Sequence, residues 1–352
     1  MSDRSSLRRP ATTATSGGPR GGGVTDDEQF AEAPIPSPPS QSAAKHGRLG
    51  DRVFAGFATG AGVFMVVLIA AIGIFLLIQA IPPLADNKAS FLFSRTWNAD
   101  PADLNFGVLD LLLVTVFSSV FALVIAMPVS LGIALFLTQY APRRAARPLA
   151  YLVDLLAAVP SIIYGLWGLE VLAPALSGFS VWLNENLGWI PIFADGNVSA
   201  QIGQTIFVAG IVLAVMLLPI ITAVSREVFD RTPTPHLEGA IALGATKWEV
   251  IRTTVLPFGR PGYISASMLG LGRALGETIA LLIILSTTTQ FFGWSLFDGG
   301  DTIASKIARA SAEFNDPKAA GAYVAAGLVL FALTFVVNAA ARAIVAGHKE
   351  YE

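Results

Sequence analysis

The chain has 352 residues, 53% of them hydrophobic and only 14% charged, with a formal net charge of −2; ordinary soluble domains carry about 25% charged residues. That balance excludes a soluble globular domain and gives no electrostatic case for nucleic acid. Cysteine is absent, which excludes disulfides, thiol catalysis and cysteine-based metal sites.

Residues 1–52 are rich in Ser, Pro, Gly and Arg, with Gly21-Gly22-Gly23 and Pro34-Ile35-Pro36-Ser37-Pro38-Pro39. So little apolar surface cannot offset the entropy of ordering, and the segment reads as a disordered cytosolic tail. It lacks the apolar core and cleavage site of a signal peptide. Six apolar segments then approach or exceed the roughly 20 residues needed to cross a bilayer. They are placed at Val53–Ile81, Val108–Leu137, Leu149–Leu176, Ile202–Val224, Pro261–Leu285 and Ala320–Val345, followed by a short tail, 347–352. The fold class is an all-α polytopic membrane protein with six transmembrane helices: a first helix over 53–81, then a body over 108–346. His46, His236 and His348 fall outside the spans and are too scattered to bind metal, so no metal or cofactor is expected.

Orientation follows from lysine and arginine. With the N-terminus inside, the inner side carries seventeen of them and the outer side five, or ten and five without the tail. The positive-inside rule therefore places both termini, and the loop 232–257, in the cytosol. Trp97, Trp182, Trp189 and Trp294 fall in the outer loops, where they read as interfacial anchors.

The loop 232–257 has its own pattern. Glu238 to Leu243 is patterned as a short helix, Gly244 can turn the chain without steric cost, and Lys247 to Val250 restarts a helical period that Pro257 is expected to end. With Glu238, Ala240, Gly244, Leu256 and Pro257 at their spacing, this loop resembles the "EAA" coupling loop of ABC-importer permeases. Gly239 and Thr254 depart from that pattern, standing where Ala and Ile are usual.

Two spans carry polar residues. Span five contains Gly270-Leu271-Gly272-Arg273-Ala274-Leu275-Gly276-Glu277-Thr278. In one continuous helix Arg273 and Glu277 share a face and pair, small residues flank them, and Leu271, Leu275 and Leu282 point away. A lone Arg at the bilayer centre costs roughly 3 kcal/mol or more, so the charged face is expected to be interior. Two readings stay open: a packing pair, or an anion station in which Arg273 grips an oxyanion through two parallel hydrogen bonds. Span three contains Val159-Pro160-Ser161-Ile162-Ile163-Tyr164-Gly165-Leu166-Trp167-Gly168. Pro160 is expected to kink it, Gly165 and Gly168 to allow close packing, and Ser161 and Tyr164 are candidate pathway hydroxyls. Glu170 reads as lying toward the outer end of the span, and Asp110 and Asp154 near span ends, with no transport role.

These two stretches, with the loop, resemble the PstC-type permeases of phosphate-specific ABC importers, in the binding-protein-dependent inner-membrane family. The resemblance runs from about Val53 to the C-terminus. It implies a five-helix, MetI-like permease core with one helix added, in a bacterial inner membrane. It implies a second permease subunit (PstA-type), two ATP-binding subunits (PstB-type) and an external phosphate-binding protein (PstS-type). It also implies that Arg273 and Glu277, with Thr278, Tyr164 and Ser161 nearby, lie on the phosphate path. The chain is not expected to be an enzyme: no Gly-x-x-x-x-Gly-Lys-Ser/Thr loop occurs, so a separate subunit must hydrolyse ATP. The alternatives are a sulfate or molybdate permease and, with less support, a stand-alone secondary transporter using Arg273 and Glu277 as a proton relay. The last leaves the loop 232–257 without a purpose.

Overall fold

The computed structural model describes residues 49–288 and 290–346. Most of the expected tail, with His46, and the segment 347–352, with His348, lie outside the described residues. The chain divides into two compact units, Met1–Gly62 and Val63–Glu352. In the first, residues 49–62 form the opening turns of α1 (Leu49–Asp86). The rest of α1 belongs to the second unit, where Ala80 is buried with Leu104, Phe106, Ala322 and Ala325, and Asp86 pairs with Lys318 at 2.7 Å.

After α1 the second unit runs β1 (Trp97–Asn98), β2 (Asn105–Phe106), α2 (Leu109–Leu135), α3 (Arg143–Ala157), α4 (Ser161–Trp167), α5 (Ala173–Leu187) and α6 (Ile206–Asp230). It continues through α7 (Thr234–Ala242), α8 (Lys247–Val250), α9 (Leu256–Leu275), α10 (Ile279–Ile284), α11 (Ile303–Arg309) and α12 (Pro317–Ala346). The two short strands pair antiparallel, Trp97 opposite Phe106. At the centre stands α6, apolar on every side and therefore buried along most of its length between α2 and α9.

Three π turns, 136–140, 168–172 and 251–255, each end two residues before a proline: Pro142, Pro174 and Pro257. A proline offers no N–H and crowds the carbonyl four residues earlier, and a wider turn just upstream relieves that crowding. So Pro257 does not end the helix that begins at Lys247. It sits in the first turn of α9, where a missing N–H costs little, and the chain stays helical from Lys247 to Leu275.

Five helical stretches among the described residues are long and apolar enough to span a membrane: 50–86, 109–140, 161–187, 206–230 and 317–343. Two expected spans differ from continuous helices. Span three is not a kinked helix over 149–176. It breaks at 158–160, α3 stands apart as an amphipathic helix, Pro160 precedes α4, and the span runs on to Leu187. The residue before a proline is pushed out of the helical region, so a break is cheaper here than a kink. Glu170 therefore lies near mid-span, within the 168–172 turn, and Trp182 is in α5 rather than in a loop. Span five breaks as well, into α9 and α10. Trp97 is not an interfacial anchor: it is half-buried against Phe106 and Tyr323.

Candidate functional site

The break between α9 and α10 builds the first site. Gly276 closes α9, its N–H reaching the Arg273 carbonyl at 3.2 Å, and the Glu277 N–H reaches the Ala274 carbonyl at 3.2 Å. The Thr278 hydroxyl donates to the Gly276 carbonyl at 3.1 Å. Glu277 thus leaves the helix that carries Arg273, and the two make no ion pair. The expected pairing four residues apart needed a continuous helix, which Gly276 interrupts. Glu277 is instead buried, 8% exposed, with its carboxylate accepting the Ala280 N–H at 3.4 Å.

The expected orientation of α9 is also reversed. Leu271 and Leu275 are buried with α2 and α6, whereas the Arg273 side chain lies exposed on the surface of the chain. A periodicity argument gives which residues share a face but not which face meets the subunit's own core. An exposed Arg at this depth cannot be left to lipid without a cost of about 3 kcal/mol or more, so it faces water or a second protein surface.

Helix α4 lies against α10. A Cβ on Gly165 would sit 3.0 Å from the Ala280 Cα, so only a glycine lets the two backbones approach this closely. That packing carries Tyr164 within electrostatic reach of Arg273. The Tyr164 hydroxyl donates to the Leu156 carbonyl at 2.9 Å, bridging the α3–α4 break. Ser161 is half-buried in the first turn of α4. The far end of α10 is held by Arg309, which donates to the Leu282 carbonyl at 3.3 Å and pairs with buried Asp301 at 3.1 Å.

The segment after α10 was not singled out from sequence. Buried Asp298 accepts the N–H groups of Gly293, Ser295 and Asn197 at 2.7, 3.0 and 2.9 Å, and its carbonyl and that of Leu296 cap the start of α6. Asp110 binds Arg95 at 2.6 Å and the Phe292 N–H at 3.1 Å. Both aspartates are structural. Their acceptor role could have been suspected only from acids beside Gly-rich runs, a weak signal. Glu170 is the other residue underrated: it is an exposed acid near mid-span, an expensive position unless it meets a polar partner.

The second site is the 232–257 loop. Helix α7 begins at Thr234, four residues earlier than expected, and carries Glu238, exposed, and Ala240, half-buried. Gly244 has φ +84° and turns the chain into α8, which Thr246 and Glu249 open with reciprocal capping hydrogen bonds. Thr246 donates its N–H to the exposed Glu249 carboxylate at 2.7 Å, holding it below the usual carboxylate pKa. Ile251 and Val255 anchor the segment in a core with Ala134, Leu135 and Phe229, and Leu256 packs against it while Pro257 stays exposed. Ile241, Leu243 and Trp248 are left outside, Leu243 at 90% exposure. A braced helix–turn–helix that displays apolar side chains is the kind of surface that marks an interaction site. His236 is exposed on α7, and no metal-binding cluster occurs among the described residues.

The model of the family described as "Binding-protein-dependent transport system inner membrane component" matches residues 111–349. The phosphate transport system permease protein PstC 2 of Mycobacterium tuberculosis is 58% identical over 301 residues, covering 85% of this chain and 93% of that protein. PstC of Mycobacterium leprae is 59% identical over 275 residues, covering 78% and 86%. PstC of Haemophilus influenzae is 40% identical over 277 residues, covering 77% and 85%. Among solved structures, a bacterial ABC transporter involved in alginate import superposes with a TM-score of 0.51 at 16% identity, covering 84% of this chain and 98% of that one. The last likeness concerns the fold alone.

Proposed function

The chain belongs to the binding-protein-dependent transport system inner membrane component family, and from that membership we propose that it is the transmembrane permease subunit of an ATP-driven importer of inorganic phosphate. The observation that carries the reading is the 58% identity, over 85% of the chain, to a phosphate permease. Nothing favours sulfate, molybdate or a stand-alone carrier over it.

In this reading the chain is a multi-pass conduit, not an enzyme. A separate ATPase subunit docks on Ile241, Leu243 and Trp248, and its closure on ATP moves α7 and α8. Because the helix from Lys247 to Leu275 is continuous, a push on the loop reaches Arg273 along one rod. A second, related permease covers the exposed face that bears Arg273, so that residue lines a path between two chains rather than the interior of one. There its guanidinium fork receives a phosphate oxyanion. Tyr164, Ser161 and Thr278 supply hydroxyls along the same wall, and buried Glu277 fixes the start of α10. An external binding protein delivers substrate on the side opposite the loop, and both termini lie in the cytosol.

Radiolabelled phosphate uptake in cells lacking this gene tests the reading, with excess unlabelled sulfate and molybdate as competitors. Wild type is expected to restore uptake insensitive to both, and Arg273→Ala at a matched membrane level to restore little. Uptake abolished by sulfate or molybdate would assign another oxyanion. Equal rescue by Arg273→Ala would remove that residue from the path.

A further inference from the structure

Helix α3 is inside-out for a protein in water. Arg147 and Asp154 share one side of it, about 20° apart on the helix, and Asp154 faces α6, meeting Arg226 at 3.5 Å. The opposite side carries Leu152 and Leu156, with Leu155 on its flank, all roughly half exposed. Between the polar side of α3, the end of α2, the end of α6 and the first turn of α7 lies a cavity of about 890 Å³. Three arginines line it: Arg147, Arg226 and Arg231. Glu227 and Asp230 line it too, and with Asp154 they equal the arginines in number, but they hold them unevenly. Arg231 and Glu227 form an exposed pair, weak in solvent, and the Arg226–Asp154 contact is long. Arg147 has no ion pair or hydrogen bond among the described residues.

We propose that this cavity seats the phosphate group of an anionic phospholipid from the leaflet on the side of the 232–257 loop, its acyl chains lying along the leucine side of α3. The shared chemistry is a phosphate group, which Arg forks bind bidentately. The apolar face beside the cavity assigns it to a lipid rather than to free phosphate, since a free ion needs no such face. Basic pockets between membrane helices on the cytoplasmic side suit lipid headgroups in this way. Thr234 and Leu237 of α7 form part of the wall, so an occupied cavity braces the coupling segment. The inference is independent of which substrate the chain carries.

Native mass spectrometry of the full-length chain, with palmitoyl-oleoyl phosphatidylglycerol or the matching phosphatidylcholine, tests it. One phosphatidylglycerol per chain is expected to survive delipidation, and Arg147→Gln to weaken its retention about fivefold. That substitution breaks no ion pair or hydrogen bond among the described residues, so the fold is expected to survive it. Arg252→Gln, exposed and outside the cavity, is expected to change nothing. Equal retention of phosphatidylcholine, or undiminished retention in Arg147→Gln, would overturn the proposal. Displacement by millimolar inorganic phosphate would hand the site to the free ion and overturn the lipid assignment, whereas resistance to it supports the lipid. Repeating the measurement on the assembled transporter and finding α3 covered by a protein subunit, with no lipid retained, would also overturn it.

Discussion

At Gly244 a single backbone angle sets the turn between α7 and α8. Its φ of +84° is open to glycine and strained by roughly 1–3 kcal/mol for other residues. Gly244→Val is therefore expected to insert and fold but to tilt α7 against α8, leaving ATPase activity in the assembled transporter uncoupled from uptake. Normal uptake per ATP hydrolysed would remove Gly244 from the coupling path. Glu277 teaches the opposite lesson. Had it paired with Arg273, its removal would strand a buried cation and cost folded protein. Since Arg273 is exposed and has no ion pair among the described residues, Glu277→Gln is expected to keep the wild-type amount of folded protein in the membrane while lowering uptake. Immunoblots beside uptake rates check this, and a collapse in protein level would restore the structural pair.

At the scale of elements, the consequential feature is that α9 and α10 are two helices. The sequence 270–278 contains no proline and was read as one continuous period, although Gly276, which ends α9, marks where a break is permitted. What sets it is packing: α10 is held by Gly165 on one side and by Arg309 at its far end. Gly165→Leu is expected to force α4 and α10 apart, with an overpacking cost of about 1–3 kcal/mol. A lower thermal midpoint in detergent and reduced uptake would report it, and an unchanged midpoint would mean the contact is looser than the 3.0 Å approach implies. The coupling segment, by contrast, was legible from Glu238 to Gly244. A turn at glycine between two short helical periods is a local signal, whereas the Thr246–Glu249 caps and the exposed apolar side chains came only with the structure. Its start was placed four residues late, and its end was misread because a π turn lets Pro257 sit inside a helical run.

For the whole molecule, the distribution of lysine and arginine predicts a topology, and the absence of cysteine makes it directly measurable. Trp189→Cys, at a site 79% exposed, is expected to react with an impermeant maleimide in intact cells. His236→Cys on α7 is expected to react only after the membrane is opened. The reverse pattern would invert the chain and place the coupling segment away from ATP. The membrane class was fixed by composition, because burying polar backbone in lipid leaves a chain few other solutions, but of six expected spans five are helices long and apolar enough to cross, and 261–285 is divided between α9 and α10. Which face of α9 meets the subunit's own core was not fixed, since helical periodicity groups residues without telling a core from a partner's surface. The sequence by itself thus determined the solvent, the apolar runs and the turn at Gly244. Only the tertiary structure decided where the helices break and that Arg273 points outward, because both depend on how closely neighbouring backbones can approach.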